Sequence, residues 1–239
     1  MANTFKNDLY RPARSIGVIT IVFFVGLICL AALGVLGSAL MILAPDSNLD
    51  LENGETMSVG WLLVSLVALL QLGLRVLCIV GFLVWLHRVF GNLSVIGARN
   101  LEFSPGWAVG WWFIPFANLV QPYKVVKELY RESQVRAADE GAAVSTENIG
   151  IWWAAFLISG FTLRISDALV GSQSGNPSRY FPVAYIVGQL LFAAAAAYAI
   201  VIIKNVNTWQ DQAFKSRSYA PVQSLLPPPP PTFDQGDQN

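Results

Sequence analysis

Four long apolar runs decide what this chain can become, because each is long enough to cross a bilayer, which takes about 20 residues of helix. They cover about Ser15–Leu43, Met57–Leu86, Ile149–Val170 and Tyr180–Ile203. A backbone inside lipid has to satisfy its own hydrogen bonds, and for runs of this length that leaves the α-helix. Composition agrees. Hydrophobic residues are 54% of the 239 and charged residues 13%, against about 25% charged in soluble domains, and the charges gather between the runs. The fold class read from the sequence is all-α, a polytopic membrane bundle of four transmembrane helices. The formal net charge is zero, so bulk charge does not point to nucleic acid as a partner.

The first run follows "RPARS" and ends at "APDSN". It lacks a well-placed small-residue cleavage site and reads as an uncleaved span. Its Gly26, Gly34 and Gly37 lie near one face, and "AAAAAYA" in the fourth run is smooth; both permit close helix approach. The second run is longer than a span needs and has to tilt or protrude.

Orientation follows from lysine and arginine in the short segments. Lys6, Arg11 and Arg14 precede the first span. Arg88, Arg99, Lys124, Lys127, Arg131 and Arg136 lie between spans two and three, and Lys204, Lys215 and Arg217 follow span four. The loop "APDSNLDLENGETMS" has neither lysine nor arginine but four acids, and "GSQSGNPSR" has one arginine. Both termini and the middle segment are therefore expected in the cytoplasm. The domain reading is a cytoplasmic segment 1–14, a membrane domain 15–218, and a proline-rich tail 219–239. Five consecutive prolines favour polyproline II and cannot build a core. The tail is expected to be a disordered extension, with a docking peptide for a proline-binding module as the alternative.

Between spans two and three, "SPGWAVGWWFIPFANLVQPYKVVKELYRES" (104–133) crowds three tryptophans and three prolines into one helix length. As a fifth span it would bury Asn118 and Gln121, break its hydrogen bonds at Pro115 and Pro122, and carry Lys124, Lys127 and Arg131 to the wrong side. The favoured reading places residues 104–136 at the inner interface. Trp107, Trp111 and Trp112 would sit in the headgroup layer, with a turn at Pro115–Asn118. A helix capped by Gln121 or Asn118 would then turn Lys124, Lys127 and Arg131 toward anionic lipid. A re-entrant hairpin and a true fifth span are the alternatives.

Arg75, Arg164 and Asp167 fall inside spans, where charge costs about 2.5–3.5 kcal/mol on insertion scales. Arg164 and Asp167 are three residues apart and can share a helix face. The three form a candidate polar cluster between spans two and three. It would either fix helix register or bind an ion, a proton or a lipid headgroup. His87 stands alone, and Cys29 and Cys78 sit in apolar runs. No metal-ligand spacing, phosphate loop or nucleophile motif is present, so no metal, cofactor or catalytic residue is assigned. Trp61, Trp152 and Trp153, at the starts of spans, read as interface anchors.

The run from Phe103 to Ser133 resembles the signature of a bacterial family catalogued as domain of unknown function 4328. The likeness extends over nearly the whole chain: a "LYRPAR"-like start, two spans, "VWLHRVFGNL", the tryptophan-rich block and two more spans. It implies an integral protein of the bacterial plasma membrane and supplies no catalytic residues. The functional expectation is a non-enzymatic membrane subunit or scaffold. It would bind inner-leaflet lipid, or a protein partner through its helix faces or proline-rich tail. The alternative is a small transporter or channel built on Arg75, Arg164 and Asp167.

Overall fold

The computed structural model describes residues 10–50, 56–138, 146–171 and 180–223, with the backbone alone at 147, 170, 171 and 218–223. Four long helices carry the fold: α1 (Arg14–Leu43), α2 (Val59–Val95), α5 (Glu147–Gly171) and α6 (Phe181–Gln223). All four hold stretches long and apolar enough to cross a membrane. The chain is an integral membrane protein. A two-strand antiparallel hairpin, β1 (Asn48–Asp50) and β2 (Thr56–Ser58), joins α1 to α2 with Leu49 opposite Met57. Two short helices lie between α2 and α5: α3 (Pro105–Gly110) and α4 (Gln121–Ala137), with a 3-10 turn at Ala117–Leu119 between them.

The outward apolar side chains mark the membrane belt. Exposed Val18 to Leu43 on α1, Leu62 to Val84 on α2, Ile151 to Ile165 on α5 and Val183 to Val201 on α6 form one band. At 1.5 Å per residue, the 37 residues of α2 and 43 of α6 extend about 55 and 65 Å, against a hydrocarbon core of about 30 Å. Both helices overrun the belt at one end, called basal here, where α1 also begins. The helical part of span two thus passes Leu86 to reach Val95. Span four runs through Lys204 to Gln223, past Ser218 where the tail was expected to begin. The proline run and the N-terminal segment before Tyr10 lie outside the described residues.

Within the belt, α1 packs along α2 and α6, and α6 along α5; α2 and α5 are not packed on each other. The order across the bundle is α2, α1, α6, α5. Glycine sets the α1–α2 spacing. A Cβ at Gly60 would come within 2.7 Å of the Gly37 carbonyl, and Gly34 lies under Tyr185 and Val67. Small residues serve here because lipid tails give apolar helix faces no hydrophobic drive to associate, which leaves close packing to hold them.

The main core is at the basal end. Trp85, Leu86, Val89 and Leu93 of α2 meet Val125, Val126 and Leu129 of α4 and Ile203 and Val206 of α6, all essentially inaccessible. A smaller cluster at the opposite end joins Val64, Phe181 and Tyr185, with Trp61 stacked on Phe181 at 4.9 Å. Trp152 and Trp153 are buried in the main core rather than anchored at a surface. Tryptophan on a bundle-facing side of a helix has more area to gain from protein packing than from the headgroup layer.

Candidate functional site

The tryptophan-rich segment does not cross the belt. Ser104 caps α3, accepting a hydrogen bond from the Trp107 amide at 3.4 Å, and Pro105 occupies the first turn. After Gly110 the chain goes through turns, and Phe116 adopts φ 62°, ψ −42°. The Ala117 amide donates to the Pro115 carbonyl at 2.8 Å. This is a γ-turn with positive φ, a rare and strained conformation for a residue with a side chain. It leaves Phe116 86% and Phe113 69% exposed, with Ile114 and Val120 beside them on an apolar tip.

The tip stands on a rigid base. Trp112 packs edge-on against Phe82 (5.4 Å) and Trp153 (5.8 Å), and the Trp153 indole donates to the Leu119 carbonyl at 2.8 Å. Glu128 of α4 holds the approach to α3, accepting from the amides of Glu102 (2.7 Å) and Phe103 (3.3 Å). Of the three tryptophans expected in the headgroup layer, only Trp107 is exposed; Trp111 and Trp112 pack against the core.

Pro122 is in the first turn of α4 as expected, but neither Gln121 nor Asn118 caps it; Val120 occupies the cap without a side-chain bond. The apolar face of α4 is covered by protein. Val125, Val126 and Leu129 are fully buried, while Lys124, Lys127 and Arg131 point outward. The helix is therefore not a free amphipathic strip: its apolar face gains more from the basal core than a surface offers. Arg131 and Arg136 both pair with Glu132, at 3.1 and 3.4 Å.

Buried polar groups lock this base to the long helices. Gln210 of α6 donates to the Val89 carbonyl (2.9 Å) and to Ser133 Oγ (3.1 Å), and accepts from Asn92 Nδ2 at 3.3 Å. Asn92 also donates to the Arg11 carbonyl (2.9 Å) and accepts from its amide (3.2 Å). The Trp85 indole donates to Asn207 at 3.0 Å. Tyr10 stacks on Phe214 at 4.2 Å and donates to Asp211 at 2.7 Å. Burial first, then the hydrogen bond to Asp211 and its charge, pushes the Tyr10 hydroxyl well above its ordinary range. Sequence reading missed this network. Asn92, Asn207 and Gln210 stand among ordinary polar residues beyond the apolar runs, and only the overrun of α2 and α6 turns them inward.

Inside the belt the polar residues are arranged differently from the expected cluster. Arg75 turns toward α6. Its Nη2 donates to Gln71 at 3.2 Å and its guanidinium lies 4.9 Å over the Phe192 ring, while its buried Nε has no acceptor among the described residues. Gln71 and Gln189 exchange amide hydrogen bonds at 3.3 Å, joining α2 to α6. The polar seam is thus between spans two and four, because α6 stands where span three was expected. Arg164 and Asp167 are exposed on α5, and no ion pair joins them among the described residues. Asp167 is within coulombic reach of Arg75 and Tyr185. Gln189, unnoticed in the sequence, was detectable as a lone amide in "VGQLL". His87 is exposed at the basal end of α2.

A cleft of about 540 Å³ opens beside α3, lined by Leu101, Glu102, Phe103, Ser104, Trp107, Trp111 and Gln121. Trp107 and Trp111 stand with ring centroids 5.0 Å apart and planes inclined by 35°. Trp111 Nε1 and Gln121 Oε1 are buried without hydrogen-bond partners.

The model of the family Domain of unknown function (DUF4328) matches residues 50–208, more than half of the chain, from the hairpin to the basal part of α6. The chain belongs to this family. The match takes in the tryptophan-rich segment, the cleft and the α2–α6 polar seam, while the Tyr10–Asp211 contact and Gln210 fall outside it. No curated protein and no solved structure matches the chain.

Proposed function

We propose that this protein is a non-enzymatic membrane subunit or scaffold. In this reading its basal platform inserts an apolar tip into the inner leaflet and presents α4 and the chain ends to a partner. The observation that carries it is the tip: Phe113 and Phe116 are 69% and 86% exposed on a segment otherwise fixed by buried aromatic contacts and Glu128. Water gives no return for holding a strained turn with its phenyl ring outward, whereas lipid does. The platform would face the cytoplasm of a bacterial plasma membrane, as the lysine and arginine bias supports. Lys124 and Lys127, exposed on α4, would then meet anionic headgroups. The proline-rich tail is a second contact for a protein partner.

The test places a spin label at residue 116 in protein with Cys29 and Cys78 replaced by alanine, reconstituted in nanodiscs. Relaxation by oxygen rather than by an aqueous nickel complex is expected. The reverse would refute insertion. Impermeant labelling of a cysteine at Ser47 from outside intact cells, and its failure at Ser216, tests the orientation.

The second reading, a small transporter, draws on the unpaired Arg75 Nε and on Asp167 exposed within the belt. A solute flux in proteoliposomes that Arg75→Leu abolishes would favour it.

A further inference from the structure

We propose that the cleft beside α3 is a binding site for an organic ammonium group, namely the amino headgroup of a phospholipid. The inference rests on the interfacial reading above and assigns its lipid. Four of the side chains that line the cleft, Glu102, Trp107, Trp111 and Gln121, point to one chemistry. Glu102 offers an exposed carboxylate with no ion pair among the described residues. Gln121 offers a buried amide oxygen that receives no hydrogen bond. Trp107 and Trp111 pack on each other at 5.0 Å, and Trp107, half exposed, offers an indole face. No lysine or arginine lines the cleft. A carboxylate, a free carbonyl-type oxygen and an indole face at one space select a cation, and indole is the best aromatic partner for an ammonium. A primary ammonium carries three N–H donors, enough for the carboxylate and the amide oxygen with its remaining face on a ring.

Among the residues that line the cleft, the buried donor without an acceptor is Trp111 Nε1. It suits an oxygen held close to the cation, as a phosphate ester two carbons away would be. The ligand class is then a zwitterion, ethanolamine phosphate, rather than a bare cation. A cleft of about 540 Å³ accommodates such a group. The lipid form is favoured over a free amine because the site shares its segment with the tip. Trp107, 54% exposed, belongs to the cleft wall, and the apolar Phe113 and Phe116 follow it in the chain. Acyl chains would lie along these residues while the headgroup occupies the cleft. A trimethylammonium headgroup has no N–H for Gln121 and should bind more weakly.

The experiment titrates the full chain in detergent micelles with dihexanoyl phosphatidylethanolamine, dihexanoyl phosphatidylcholine, dihexanoyl phosphatidylglycerol and O-phosphoethanolamine, reading binding by microscale thermophoresis. The ethanolamine lipid is expected to bind at least about ten-fold more tightly than the other lipids. Glu102→Gln should weaken it about ten-fold, as expected for loss of a hydrogen bond between charged groups, and Trp107→Leu should weaken it as well. Glu102→Gln keeps size and its backbone bond to Glu128, and the side chain has no hydrogen-bond or ion-pair partner among the described residues; its circular dichroism should match that of the parent. Equal affinity for all three lipids, or an unaffected Glu102→Gln, overturns the assignment. O-phosphoethanolamine binding as tightly as the lipid overturns the lipid source. The spin label at residue 116 separates the two proposals. If the label is in water, the interfacial reading fails. If it is in lipid while the ethanolamine preference is absent, the cleft assignment alone fails.

Discussion

Phe116 tests the strained tip most sharply, because two substitutions there remove the same ring but differ in backbone freedom. Positive φ in a residue with a side chain costs about 1–3 kcal/mol. Glycine adopts it without that cost but loses about 0.4–1 kcal/mol through greater freedom in the unfolded chain. With φ at 62° and the ring 86% exposed, Phe116→Gly forfeits almost no contact within the protein. It should raise stability by up to about 2 kcal/mol in amphipol, where no bilayer is present. Phe116→Ala keeps the strain and should stay near the parent. In nanodiscs a phenyl ring entering lipid contributes about 1.5–3 kcal/mol, so Phe116→Ala loses that amount relative to the parent and Phe116→Gly loses it less its relief of strain. The assay is thermal unfolding of the three proteins in the two environments, with the spin-label depth as an independent reading. Alanine as stable as glycine in amphipol would show that the turn is not strained. A parent that gains nothing over alanine in nanodiscs would show that the ring does not enter the leaflet.

Other outcomes follow from the packing. Gly60→Ala, whose methyl would meet the Gly37 carbonyl at 2.7 Å, should part α1 from α2 and lower thermal stability. Gly73→Ala, with nothing within 4 Å, should be neutral or stabilising by roughly 0.5–1 kcal/mol through helix propensity. Gln210→Leu orphans Ser133 and Asn92 partners in the basal core, at about 1–3 kcal/mol for each buried group left unpaired. It should loosen the N-terminal segment, seen as faster amide exchange at Arg11. Because burial and Asp211 raise the Tyr10 hydroxyl, the folded state holds that proton more tightly than the unfolded chain does. The associated stability is complete below the ordinary phenol value of about 10 and is lost as pH rises beyond it. The stability difference between parent and Tyr10→Phe should therefore shrink between about pH 10 and 12; a constant difference would contradict it.

The apolar runs alone determined four helices, their order and the all-α class, because a bilayer leaves a long apolar segment no other way to pair its backbone. The same logic kept residues 104–133 out of the spans: Pro115, Pro122 and the lysines after them are local facts. The glycine face of α1 was also legible, since a helix places Gly26, Gly34 and Gly37 by its period alone. Which helix meets which was decided only in three dimensions. Either α5 or α6 could have lain beside α2 along with α1, and it is α6, so Arg75 found Gln71 and Phe192 while Arg164 and Asp167 stayed outside. The platform shows the same division. Sequence marks α4 as amphipathic, but whether its apolar face meets lipid or protein depends on how far α2 and α6 overrun the belt. They overrun it far enough to cover Val125, Val126 and Leu129 and to gather Asn92, Gln210 and Ser133 into one buried network. The cleft of Glu102, Trp107, Trp111 and Gln121 is likewise a product of folding, since the succession of turns between Gly110 and Gln121 brings the end of that segment back beside its start.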